Sequence, residues 1–161
     1  MKFGNLIRGF AARVLLPLGM ASLLLTAGCR HNVNTSNPAV VQASALADAA
    51  DTCKLLEDGL ASANAAVEKL ETAEPDYYAH VKPLLKKMSA ANVVAIEKIQ
   101  VAKNGGTADW KGALVAVAAS VSPSDLTSVG VKNQTSQLIV EGSIAGLVAT
   151  LESFKAKFGG P

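Results

Sequence analysis

A chain of 161 residues is long enough for one domain with its own apolar core, and it needs neither a disulfide nor a metal to fold. The formal charge of +2 counts Lys2, Arg8 and Arg13; without them twelve basic residues face thirteen acids, a balance of −1. That balance, with no basic stretch interleaved with aromatics, argues against a nucleic-acid-binding surface. Half the residues are hydrophobic but only 4% are aromatic, and alanine is abundant, which favours helices packed on small side chains over a β-sandwich.

The chain opens with Lys2, Arg8 and Arg13, and no acid precedes Asp48. Val14 to Leu25 is an apolar run interrupted only by Pro17, Gly19 and Ser22. It is about a dozen residues, short of the ~20 that a spanning helix needs. Small residues follow, ending at Cys29. Positive, then apolar, then small is the order of a secretory signal peptide.

One feature separates this segment from an ordinary signal peptide. Leu23-Leu24-Leu25-Thr26-Ala27-Gly28-Cys29 resembles the lipobox of bacterial lipoproteins. The resemblance implies a diacylglycerol on the Cys29 thiol, cleavage between Gly28 and Cys29, and acylation of the new amino group. Thr26 departs from the pattern, which more often has an aliphatic residue there. One acyl chain holds a protein only marginally and two or three hold it firmly, so such an anchor requires no membrane-spanning helix. Lipoproteins with Asp after the cysteine tend to stay at the inner membrane. Arg30 stands here instead, which implies the periplasmic face of the outer membrane, or the outer face of the cell membrane in an organism with one membrane. The alternative is an ordinary signal peptide with a chance cysteine. The resemblance reaches no further than Arg30.

Arg30 to Asn37 is polar with one apolar residue and reads as a flexible tether, at most about 28 Å long at ~3.3–3.6 Å per residue. Asn34-Thr35-Ser36 and Asn133-Gln134-Thr135 match the N-glycosylation sequon; a bacterial lipobox makes both coincidental.

Asn37-Pro38 supplies a cap and a first helical residue. Leu46, Ala49, Cys53, Leu56, Leu60, Ala63, Val67 and Leu70 then alternate by three and four, predicting a helix from Pro38 to Ala73 with Gly59 as a weak spot that bends it. Glu74-Pro75-Asp76 ends that helix and starts a second, which runs to Lys103 and stops at Asn104-Gly105-Gly106. Its stripe is Val81, Leu85, Met88, Ala95 and Ile99. Pro83 kinks the helix or marks its true start. Asn92 falls on or beside the stripe and reads as a hydrogen-bonded, register-setting residue. From Asp48 to Glu74 seven acids accompany two lysines, and from Asp76 to Lys103 five lysines accompany two acids. An acidic face beside a basic one is expected.

A third helix opens at Thr107 or Ala108, with Asp109 in its first turn. Ala113 to Ala119 is apolar all round, the mark of a central, buried helix. Ser122-Pro123-Ser124-Asp125 stops it and starts a short turn ending near Gly130. The last helix spans Gln134 to Phe158 on a stripe of Val140, Ile144, Leu147, Leu151, Phe154 and Phe158. Gly142 and Gly146, four apart, read as small residues that let a neighbouring helix approach.

The predicted fold is all-α, an antiparallel bundle of about four helices. Residues 1–28 form the signal, 29–37 the lipidated cysteine and tether, and 38–158 the bundle.

Chemistry is sparse. No His, Cys or carboxylate cluster has metal-ligand spacing, and there is no phosphate-binding glycine loop or nucleophile elbow, so no catalytic residue, metal or cofactor is assigned. His31 lies in the tether. His80, in Tyr77-Tyr78-Ala79-His80, reads as a helix-start or surface residue because nothing nearby supplies a proton-transfer partner. Cys53 is the one thiol left after lipidation of Cys29; it reads as a buried hydrophobe, with an intermolecular disulfide and hence a homo-oligomer as the alternative. Tyr77, Tyr78 and Trp110, near the starts of the second and third helices, read as core and cap packing, with a ligand or membrane-interface patch as the alternative. The functional expectation is a non-enzymatic lipoprotein that binds another protein or supports the cell envelope; a carrier or sensor of an apolar small molecule is the alternative.

Overall fold

The computed structural model describes residues 37–159. Asn37, the last residue of the tether, is the cap of the first helix; Gly28, Cys29, His31 and the rest of the tether up to residue 36 lie outside these residues. Five helices occur among them: α1 (Pro38–Glu68), α2 (Pro75–Lys103), α3 (Trp110–Ser120), α4 (Pro123–Thr127) and α5 (Gln134–Phe158).

Each helix begins and ends for a local reason. The Asn37 side chain accepts the Ala39 N–H at 3.0 Å, and Pro38, whose missing N–H costs nothing there, takes the first helical position of α1. The predicted stripe from Leu46 to Val67 is buried along one face. Gly59 does not interrupt the helix; a side chain there would meet Leu147 of α5 at ordinary contact distance. The helix ends five residues before Ala73. Residues 69–73 are turns, and Leu70, 1% exposed, is the stripe's last buried member.

Pro83 neither starts nor stops α2, which begins at Pro75 and runs through it. The end of α2 follows directly from its glycines. Gly105 adopts φ 79°, and the Gly105 and Gly106 N–H groups bond the carbonyls of Ala102 (3.1 Å) and Val101 (2.9 Å). This paired closure satisfies two of the helix's orphan carbonyls. At α3, Asp109 is the cap rather than a first-turn residue, and its carboxylate accepts the Gly112 N–H at 2.8 Å. A Cβ on Gly112 would meet that carboxylate, so a larger residue there would force the Asp109 side chain to shift. Asp125 accepts the Ser122 N–H to open α4, and Asn133 caps α5 through the Thr135 N–H at 2.8 Å.

The helices form a four-sided bundle. α1 packs on α2 and α5, α3 packs on α2 and α5, and neither α1–α3 nor α2–α5 makes contact. Short connections alternate the directions, giving an up-down-up-down arrangement. The chain therefore has two poles. At the entry pole α1 begins, α2 ends, α3 begins and α5 ends. At the closed pole α1 ends, α2 begins, α4 lies and α5 begins. A hydrogen bond from Lys157 near the end of α5 to Asp48 near the start of α1 fixes the first (2.5 Å), and bonds from the start of α5 to Glu74 fix the second.

Two expectations about packing fail. Ala113 to Ala119 is not enclosed: Ala113, Leu114, Val117 and Ala118 are buried, but Val115, Ala116 and Ala119 are exposed, because α3 has neighbours on two sides only. Gly142 and Gly146 admit no neighbouring helix, since nothing lies within 4 Å of where their side chains would be. They sit on the outward face of α5 with Leu138, which is 67% exposed. By length and composition α5 could cross a membrane, yet its Ile144, Leu147, Leu151 and Phe154 are core residues.

Candidate functional site

Among the described residues, a furrow runs along the outer seam of α1 and α2. Its lining follows from helical spacing: Ala50, Lys54, Glu57, Ala61 and Asn64 recur every three or four residues on α1, as do Ser89, Val93, Ile96, Gln100 and Lys103 on α2. Both sets are rotated to one side of the buried stripes. The part toward the entry pole has a volume of about 370 Å³, the adjoining part about 230 Å³, and Glu57 and Ile96 border both. The floor is aliphatic and the rim is charged. Lys54 bonds Asp58 at 3.2 Å and lies 3.6 Å from Glu57; the hydrogen bond to Asp58 and the two carboxylate charges raise its pKa.

Asn92 lines the furrow and is 2% exposed. Its Nδ2 donates to the Cys53 carbonyl at 3.0 Å, tying α2 to α1 as a register-setting residue would. That bond fixes the amide's orientation, since a flip would oppose two oxygens. Oδ1 is left buried with no partner in the protein. A buried polar atom without a partner costs about 1–3 kcal/mol, which the packing of α1 on α2 has to offset.

Cys53 itself is fully buried and unpaired. Burial pushes its thiol up to about 11, so it stays protonated at neutral pH. A disulfide to a second chain requires an exposed sulfur, and in the folded bundle Cys53 offers none.

His80 has partners that its own stretch of sequence does not contain. Its Nε2 lies 2.9 Å from the Asp125 carbonyl and 3.0 Å from Ser128 Oγ. A carbonyl only accepts, so Nε2 carries the proton. A histidine holding its proton at that nitrogen cannot take one from Ser128, and the pair is a clasp between α2 and the end of α4. Tyr78 and Lys82 both donate to Glu68, the Tyr78 bond at 3.4 Å. Tyr77 is 1% exposed, its hydroxyl has no partner, and burial pushes its pKa to about 12. Tyr77 and Tyr78 do not meet Trp110. Antiparallel α2 and α3 place their starts at opposite poles, and Tyr77 is separated from the Trp110 end by most of α2, roughly 40 Å at 1.5 Å per residue.

Glu74 carries the tightest polar cluster, and nothing in the sequence marks it. It is 5% exposed, and its carboxylate accepts the N–H of Asn133 at 2.7 Å and that of Lys132 at 3.2 Å. The start of α5 thus lands on the α1–α2 turn. No group of three metal-ligating side chains occurs among the described residues. Comparison with family models, curated proteins and solved structures finds no match to this chain.

Proposed function

We propose that this chain is a bacterial lipoprotein, exported and held by acyl chains on Cys29 at the periplasmic face of the outer membrane, whose bundle is a non-enzymatic protein-interaction or envelope-structural module. One observation carries the reading: a basic lead, an apolar run too short to span, and Leu25-Thr26-Ala27-Gly28-Cys29 follow one another in the order of a lipoprotein signal. A bundle that begins at Asn37, eight residues past Cys29, is consistent with it. Growth with labelled palmitate should label the wild-type chain and not a Cys29→Ser variant, and the variant should leave the membrane fraction. A Cys29→Ser chain that stays membrane-bound would contradict the proposal.

The furrow supports the second reading, a carrier or sensor of an apolar small molecule, because Ala50, Ile96 and Ile99 give its wider part, about 370 Å³, an aliphatic floor. The probe N-phenyl-1-naphthylamine is apolar. Its fluorescence should rise with the wild-type protein and fall with Ile96→Glu, which puts a charge where the two parts of the furrow meet. Equal signals from the two proteins would remove this reading.

A further inference from the structure

We infer that the entry pole is a lipid-facing surface, resting on anionic phospholipid headgroups through Lys103, Lys111 and Lys155 around Val40, Val41 and Trp110. The inference rests on the Cys29 anchor proposed above and adds to it which end of the bundle meets the bilayer.

The first support is the start of α1. Pro38 to Ala45 is two turns of helix, every residue exposed and none charged. Val40 and Val41 are 42% and 45% exposed, and burial begins only at Leu46. Beyond Leu46 charge appears on the exposed positions of α1, with Asp48, Asp51, Lys54, Glu57, Asp58 and Glu68 among alanines and Leu55, which is 59% exposed. Scattered exposed valines need no explanation, but an uncharged stem at the point nearest the anchor matches the composition of a segment at a lipid interface.

Charge is the second support. Taken to the depth of Asp48, eleven residues into each helix, this pole holds Lys98, Lys103, Lys111, Lys155 and Lys157 against Asp48, Glu97, Asp109 and Glu152. Asp48 is occupied by Lys157, and Asp109 by its own cap. Lys103, Lys111 and Lys155 have no acid partner within 4 Å among the described residues, which suits them to a phosphate layer. The closed pole has the opposite balance, with Glu68, Glu71, Glu74, Asp76 and Asp125 against Lys69, Lys82 and Lys132. Trp110 is half-buried, with the Lys111 ammonium 5.5 Å from its ring centre, a pairing suited to the boundary between headgroup and acyl chain.

Length is the third. Residues 30–37 reach at most about 28 Å when fully extended. α1 alone, with 31 residues, is about 46 Å long at 1.5 Å per residue. The connection is too short to let the bundle invert and set its acidic pole on the bilayer.

Trp110 is the single tryptophan and therefore a built-in probe. Purified lipidated protein is reconstituted into vesicles of phosphatidylethanolamine and phosphatidylglycerol, or of phosphatidylcholine alone, with and without brominated acyl chains. In the anionic vesicles Trp110 emission should shift to the blue and be quenched by bromine. Each of Lys103→Gln, Lys111→Gln and Lys155→Gln should lower the docked-to-undocked ratio about fivefold at low salt, with unchanged circular dichroism. A Trp110→Phe, Tyr78→Trp chain, reporting from the closed pole, should show no quenching. Palmitate labelling with no quenching of Trp110 would overturn this inference and leave the anchor standing; absence of labelling would overturn both.

Discussion

The two poles of the bundle are held by different means. At the closed pole, segments far apart in sequence are joined by directional bonds: Glu74 to the start of α5, His80 to α4, Lys132 to Asp76, and Lys82 and Tyr78 to Glu68. At the entry pole one such link exists among the described residues, from Lys157 to Asp48 and Thr52. There the helices are held by apolar packing, led by Phe154 with Phe158 tilted against it at 5.0 Å. Hydrogen bonds fix one arrangement at the first end; packing at the second fills space and leaves the outer turns of α1 uncovered.

The contrast makes predictions of decreasing size. Phe154→Ala empties the packed centre of the entry pole and should lower the unfolding free energy by about 3–5 kcal/mol in urea titration. Glu74→Ala strips the acceptor from two backbone donors and should cost about 2–3 kcal/mol, with Glu74→Gln, which keeps one acceptor oxygen, losing less. His80→Ala should cost roughly 1 kcal/mol and show itself chiefly as faster amide exchange across α4, with α1 protected as before. If Glu74→Ala proves harmless, the division of labour between the poles is wrong.

Acid should produce the smallest effect. The hydrogen bond from Lys82 holds the Glu68 carboxyl below its ordinary 4.5. A carboxylate depressed in the folded state adds stability that is present above the unfolded value and lost as pH falls through the folded one. Lys82 is raised by the same bond, so its share is present below 10.5 and lost at higher pH. Both groups are solvated, so the loss in an acid titration should be slight and should vanish in Glu68→Gln.

The helices themselves were legible in the sequence because their causes are local. Leu46 to Val67 and Ile144 to Phe154 alternate by three and four, and Asn104-Gly105-Gly106 is a stop whose geometry only those residues adopt easily. What could not be read is set by pairs distant in the chain. Glu74 and Asn133 are 59 residues apart, and His80 and Asp125 are 45 apart. No local pattern joins them. Gly142 and Gly146 mislead for a related reason: spacing shows that two small residues share a face, but not whether a helix lies against it. The acidic and basic faces of α1 and α2 meet in a single ion pair, Glu68 with Lys82, among the described residues. The uncharged seam between them carries most of that interface.

The position of Cys53 has a use beyond packing. Its sulfur is sealed and protonated, so a thiol reagent reaches it only when α1 and α2 have parted. Each modified molecule is a record that the chain has come open at least once. The rate at which the modified fraction grows, followed by mass, times those excursions without a denaturant.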